Sequence, residues 1–197
     1  SEYALAGSIL SSLGRPDLSW NILREALISS PQESLLRIEG LRAAGLLGEP
    51  KFIDDISVNP PTAAVEAERV NAMLKAGEIT QARILADMAV AQFNTSPEVY
   101  EARGKLRLHM GGNPSRAAED LLKAIQFGKD DPSVWLLALV QAGVNPSEEL
   151  QASIRQCRRR VSRAIDIDRL LAAENAMSLG RFSEAESIFK DLSNIPE

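Results

Sequence analysis

Residues that commonly build redox, metal and catalytic sites are scarce in this chain of 197 residues, which has one cysteine and one histidine. A single cysteine, Cys157, excludes an internal disulfide and any multi-cysteine metal site. A single histidine, His109, excludes the usual pair of histidine ligands, and a catalytic Cys–His pair would have to join residues far apart along the chain. We therefore expect no enzymatic activity, no bound metal and no cofactor. We interpret His109 as a helix-end residue that is favourable near the negative end of the helix dipole.

Aromatic residues make up only 5% of the chain, and no segment alternates apolar and polar residues long enough to predict a sheet. Hydrophobic residues nevertheless reach 45%, so the interior must be built largely from Ala, Leu, Ile and Val on closely packed helices. The longest apolar runs, such as residues 134–140, fall far short of the roughly 20 residues that span a bilayer. The sequence predicts an all-α protein with no direct membrane insertion.

Positive charge is in deficit, because the formal net charge is -5, and this gives no general attraction to nucleic acid. The one basic cluster lies on a predicted helix and comprises Arg155, Arg158, Arg159, Arg160 and Arg163. An apolar stripe on the same helix comprises Leu150, Ile154, Cys157 and Val161, so Cys157 is interpreted as core filler. With that stripe inward, Arg155, Arg159 and Arg163 form a solvated outer face. The alternative is an anionic contact with a partner or another copy of the chain; nucleic acid is disfavoured because no aromatic residue interleaves the arginines.

Glycines recur at a regular distance where helices are predicted to reverse: Gly14, Gly48, Gly77, Gly112 and Gly180. The successive spacings are 34, 29, 35 and 68 residues, and the last is twice 34. The missing member would be Pro146, which lies in a segment rich in turn residues. Glycine suits such a position because the chain can leave a helix there in a left-handed conformation. The spacing predicts a series of helix-turn-helix units.

Small and large residues recur at fixed places around these glycines. The first unit carries Tyr3, Ala6, Gly7, Leu10, Ser19, Leu23, Ala26 and Pro31, and the last carries Gly180, Phe182, Ala185, Phe189, Leu192 and Pro196. This pattern, with a period near 34 residues, resembles the tetratricopeptide repeat family. The resemblance implies a right-handed α-solenoid of antiparallel helix pairs, a TPR-like superhelix with about six units.

We expect residues 1–197 to form a single solenoid domain. Its second unit is short, so the segment 49–61 is the predicted hinge or subdomain boundary. The chain begins at Ser1 without an initiator Met, and its last predicted helix carries Phe182 and Phe189 where a capping helix would be polar. We expect a piece of a longer protein, or self-association through this C-terminal helix.

In the family, the first helices of successive units line a concave groove that holds a peptide. The resemblance implies a lining of Ala4, Ser8, Ser11, Ile38, Arg42, Ala67, Asn71, Glu101, Lys105, Leu108, Leu136, Val140, Leu170, Glu174 and Met177. Such a groove suits a segment that presents aliphatic side chains. The alternative for its apolar members near the end of the chain is packing between units.

These features predict a non-enzymatic scaffold, of bacterial origin judging by its Ala-rich and Arg-over-Lys usage, that binds a peptide or partner protein and helps to assemble a larger complex. The alternative is the regulatory or sensor arm of a larger secretion, envelope or transcription-regulating protein. An enzyme with an unrecognised site is the third hypothesis. Both the cytoplasm and the periplasm stay open as locations, because one cysteine does not distinguish them.

Overall fold

The computed structural model describes residues 1–56, 60–111 and 113–129. Regular structure in these ranges is entirely helical, which confirms the all-α prediction for this part of the chain. The helices are α1 (Glu2–Ser12), α2 (Pro16–Ser29), α3 (Ser34–Leu47), α4 (Pro50–Asp54), α5 (Ala63–Lys75), α6 (Ile79–Gln92), α7 (Pro97–His109) and α8 (Pro114–Gln126). Several predicted site residues lie outside the described residues: Leu136, Val140, Arg155, Cys157, Arg159, Arg163, Leu170, Glu174 and Met177.

Helix starts follow from local chemistry. Proline supplies the first residue of four helices, at Pro16, Pro50, Pro97 and Pro114, a place where its missing N–H costs nothing. The hydroxyl of Ser1 accepts a hydrogen bond from the Ala4 amide at 3.3 Å, and that of Thr62 accepts one from Val65 at 3.4 Å. These caps satisfy amides that have no partner inside the helix.

Three of the predicted turn glycines do reverse the chain with a left-handed backbone: Gly14, Gly48 and Gly77 have φ of 74°, 71° and 83°. The fourth left-handed glycine is Gly111, with φ of 63°, one residue before the predicted Gly112, which lies outside the described residues. The residue after each of the first three glycines closes the helix by donating its N–H to a carbonyl five residues back, as in Arg15 to Leu10 at 2.9 Å. This closure satisfies carbonyls that the helix end would leave free.

Neighbouring helices pack as hairpins within a compact unit, Ser1–Gly112. In the first hairpin the Ser11 hydroxyl donates to Ser19 at 3.0 Å, and a Cβ on Gly7 would lie 2.6 Å from a Leu23 methyl. The later residue of α2, Leu23, meets the earlier residue of α1, Gly7, whereas Ser19 meets Ser11. The two helices are therefore antiparallel. Ser19 also donates to the Gly7 carbonyl at 2.8 Å, so small residues allow the predicted close approach.

The first helices of the successive hairpins are α1, α3, α5 and α7, and they also pack on one another. Helix α3 contacts both α1 and α5, and α5 contacts α7. Between α3 and α5, Arg42 meets Glu68, and a Cβ on Gly45 would lie 2.8 Å from the Ala72 Cα. Residue numbers increase in the same direction along both helices, from the contact of Arg42 with Glu68 to that of Gly45 with Ala72, so α3 and α5 are parallel. Hairpins therefore stand side by side with their first helices in register.

The short second unit is reflected in α4, which has only five residues. Its Phe52 ring stacks on Trp20 of α2, with ring centroids 4.7 Å apart, and Ile53 is fully buried. Residues 49–61, the predicted hinge, lie within the Ser1–Gly112 unit, and the hinge stays a prediction.

The second compact unit begins at Asn113, and its described part is α8. One side of α8 is buried and consists of Ala117, Ala118, Leu121, Leu122, Ala124 and Ile125, together with Asp120. Glu119 and Lys123 are exposed. This two-sided pattern is typical of a helix that packs on one face.

Candidate functional site

Equivalent positions on the first helices remain open to solvent. Counting back from the glycines Gly14, Gly48, Gly77 and Gly111, the residues two, six and thirteen positions earlier are exposed or half-buried in every case. All lie within the helices except Ser1, which is the N-cap of α1. We call these residues the open face: Ser1, Ser8 and Ser12; Leu35, Arg42 and Leu46; Ala64, Asn71 and Lys75; and Glu98, Lys105 and His109. In a helix these three positions share one side, because each residue turns by about 100°.

The sixth-position row contains four of the predicted groove residues: Ser8, Arg42, Asn71 and Lys105. All four lie on the open face. His109, in the second-position row, is exposed and is the last residue of α7, so the prediction that it ends a helix is confirmed.

Positions three and ten before each glycine lie beside the open face, on the side where the next first helix packs. Gly45, three positions before Gly48, makes that contact with Ala72. Predicted lining residues at these positions are half-buried or buried: Ser11, Ile38, Glu101 and Leu108 are half-buried, whereas Ala4 and Ala67 are buried. The Ser11 hydroxyl also donates a hydrogen bond to Ser19 of α2.

Arg42 links two carboxylates across the open face. Its guanidinium lies 2.6 Å from Glu39 on α3 and 3.3 Å from Glu68 on α5. The Glu39 and Glu68 side chains are mostly buried, whereas that of Arg42 is 46% exposed. Arg42 therefore compensates the negative charge of Glu39 and Glu68 and holds α3 against α5 at the open face. On α7, Lys105 pairs similarly with Glu101 at 2.6 Å.

Aliphatic surface is concentrated on the α3 part of the open face. Leu35 and Leu46 are 48% and 50% exposed, and they flank Arg42 at the two ends of the helix. The half-buried Ile38 lies beside them. The α1 part carries serines and the α5 and α7 parts carry mainly polar residues, so an apolar strip lies between two polar regions.

Sequence reasoning did not assign the other members of the open face to the groove: Ser1, Ser12, Leu35, Leu46, Ala64, Lys75, Glu98 and His109. The signal that finds them is the count from the turn glycine, because a left-handed glycine fixes the phase of the helix before it. Glu68 was also missed, since its role depends on the contact with Arg42 of the neighbouring helix.

The one acid for which burial clearly raises the pKa is Glu66, among the described residues. Burial is the main cause, and the nearby Arg69 and Arg37 partly offset it. Glu66 precedes Gly77 by eleven residues, which puts it on the side of α5 away from the open face. Within residues 1–56, 60–111 and 113–129, no three His, Cys, Asp or Glu residues are grouped so as to hold a metal ion.

No protein-family model matches the chain, and no curated protein matches its sequence. The resemblance to tetratricopeptide repeats therefore depends on this chain's own residues. No helix in the described ranges combines the length and apolar character needed to cross a membrane.

Proposed function

We propose that the chain is a non-enzymatic interaction scaffold, a right-handed solenoid of about six tetratricopeptide-like helix pairs. It binds a segment of a partner protein across the open face and thereby helps to assemble a larger complex. The observation that carries this proposal is the recurrence of equivalent exposed or half-buried positions on four successive first helices. A surface repeated in this way is extended in one direction, as an elongated ligand requires.

The chemistry of the open face favours a segment with aliphatic side chains in its middle. Leu35 and Leu46 offer apolar contact, and Arg42 between them is already compensated by Glu39 and Glu68. Asn71 and Lys75, on the adjacent α5, can donate hydrogen bonds to the carbonyl or carboxylate groups of the same segment. The apolar contact supplies affinity, and the polar donors orient the segment.

Affinity capture with the tagged chain tests this proposal. We expect Leu46→Asp and Arg42→Glu each to weaken capture of the partner about tenfold or more. Arg42→Glu puts negative charge beside the mostly buried Glu39 and Glu68, and Leu46→Asp puts negative charge into the apolar strip. Lys105→Glu tests whether the ligand extends as far as α7.

A matched control is Ile84→Asp on α6, since Ile84 is 48% exposed and Leu46 is 50% exposed. Capture should survive this change, and circular dichroism should show that all the variants stay folded. If every captured protein binds the Leu46→Asp and Arg42→Glu variants as well as it binds the wild type, the open face is not the binding surface.

A further inference from the structure

A cavity of about 300 Å³ lies between α2 and the end of α4. Its walls include Trp20, Leu27, Ile28 and Ile56, with the charged side chains of Arg24 and Asp55 also lining it. This volume is at the lower end of the range for ligand pockets, roughly 300–1,000 Å³. It suits one large side chain better than a drug-sized molecule or a nucleotide cofactor.

The cavity lies on the side of α3 away from the open face. Leu27 and Ile56, which line the cavity, contact the Gly40 side of α3, where a Cβ would lie 3.0 and 3.1 Å from their methyl carbons. Gly40 and Arg42 are two residues apart, so they point to nearly opposite sides of the helix. Occupancy of the cavity therefore goes beyond the function proposed for the open face.

Rigid neighbours shape the cavity. Trp20 is 4% exposed and stacks on Phe52 at an interplanar angle of 13°. Ile56 is buried. Because Trp20 is held by the Phe52 ring and Ile56 is buried, an incoming side chain meets a preformed apolar wall.

Two further features of the cavity wall indicate a ligand that extends beyond the cavity. Ile28 is 76% exposed at the wall, which continues the apolar surface into solvent. Arg24 and Asp55 have opposite charges, and neither side chain forms an ion pair or hydrogen bond with any part of the chain that the structure describes. A mainly apolar cavity that is also lined by one positive and one negative side chain, neither of them paired, matches a short segment with an apolar residue and the reverse charges beside it.

We propose that this cavity is a second docking site, which takes one large aliphatic or aromatic side chain of a partner protein, flanked in the partner by an acidic and a basic residue. The acidic residue pairs with Arg24 and the basic residue with Asp55. Ile28 packs on the stem of the inserted side chain.

Two blocked pentapeptides of identical composition test the site: acetyl-Ser-Lys-Leu-Glu-Ser-amide and acetyl-Ser-Glu-Leu-Lys-Ser-amide. The 197-residue chain is titrated with each at low salt, because exposed ion pairs are screened by salt. Binding is followed by the indole N–H signal of Trp20 in proton–nitrogen NMR spectra. The chain has two tryptophans, so Trp135→Phe identifies the signal.

We expect saturable shifts, with one peptide order bound roughly threefold more tightly than the other, as two exposed ion pairs allow. The double change Arg24→Glu with Asp55→Lys should reverse this order preference. Ile28→Ser should weaken both peptides about threefold or more through lost apolar contact. Replacing the central Leu of the peptides by Ser should abolish the shifts.

The matched controls are Arg83→Glu and Ile84→Ser on α6, which are likewise an exposed arginine and an exposed isoleucine on a second helix. Both should bind the peptides as the wild type does. The proposal is overturned if neither peptide gives a saturable shift of the Trp20 indole signal, or if the order preference is the same after the charge exchange. Capture of the partner by the open face does not depend on either result.

Discussion

Arg37 and Glu66 show how much charge this helical array buries away from its open face. Arg37 is 1% exposed, and its guanidinium donates to the carbonyls of Pro60 at 2.9 Å and Gln32 at 3.2 Å. It thereby ties the segment before α5 to the start of α3. Glu66 lies near this guanidinium and near Arg69 and is 9% exposed. Burial destabilises the charged carboxylate by more than the two arginines stabilise it, so the pKa of Glu66 is raised.

This environment predicts a pH-dependent effect of Glu66→Gln. The pKa of Glu66 is higher in the folded than in the unfolded chain, so its contribution to stability is complete below the ordinary pKa of 4.5 and is lost as pH rises through the folded value. Gln resembles the neutral acid at every pH. We expect Glu66→Gln to unfold at higher urea concentration than the wild type at neutral pH, and this advantage to shrink below pH 4.5.

Glu25→Gln on the exposed side of α2 is the matched control, and it should change the urea midpoint little at either pH. A Glu66→Gln variant that is less stable than the wild type at neutral pH would contradict the prediction. In that case attraction to Arg37 and Arg69 would outweigh the cost of burial.

At the scale of helices, the approach of α3 to α5 depends on Gly45. A Cβ there would lie 2.8 Å from the Ala72 Cα and 3.1 Å from the Ala72 carbonyl oxygen. Both atoms belong to the backbone of α5, so the whole helix would have to move. We expect Gly45→Ala to destabilise the chain by about 1–3 kcal/mol, measured by urea unfolding, although alanine is the better helix former.

Gly40 on the same helix provides the comparison. The nearest atoms that a Cβ there would meet all belong to side chains, the closest being the methyl ends of Leu27 and Ile56 at 3.0 and 3.1 Å. Side-chain ends can rotate away, and alanine gains about 1 kcal/mol of helix propensity over glycine. Gly40→Ala should therefore be clearly less destabilising than Gly45→Ala. Equal losses would mean that the approach of α5 does not limit the residue at position 45.

The second helices differ more among themselves than the first helices do. With five residues, α4 is too short to be stable by itself, and it depends on Phe52 stacking on Trp20 and on the buried Ile53. A shorter second helix leaves space beside α2, and the cavity lies there. The irregular unit is thus the place where the array offers a pocket as well as a surface.

For the molecule as a whole, the sequence predicted the turns better than the surfaces. Gly14, Gly48 and Gly77 were identified because a repeated spacing is visible without any structure. In the fourth unit the left-handed residue is Gly111, since two adjacent glycines satisfy the same spacing. An error of one residue rotates the assigned face by about 100°. Buried Ala67 was included in the groove for another reason: it lies ten positions before Gly77, beside the open face, on the side where the next first helix packs.

Other features could not be predicted because they join residues that are distant in sequence. The Arg42 bridge needs the offset between α3 and α5, and the bond from Arg37 to Pro60 needs the path of the chain after α4. The cavity depends on space left by packing, which composition does not encode. By contrast, the resemblance was enough to propose Ser8, Arg42, Asn71 and Lys105 together, and each lies six residues before a glycine with a left-handed backbone.

A stack of helix pairs also makes a prediction about fragments, because each pair is stabilised mainly by its neighbours. The first compact unit ends at Gly112, so we expect fragment 1–112 to remain helical and to unfold cooperatively in urea. Fragment 1–93 lacks α7, which packs on both α5 and α6. It loses the burial of Val99, Ala102 and Leu106, each 1% exposed, which amounts to about 3 kcal/mol or more. Circular dichroism should therefore show a lower urea midpoint for 1–93 than for 1–112. Equal midpoints would mean that α7 adds no stability to the helices before it, contrary to a nearest-neighbour stack.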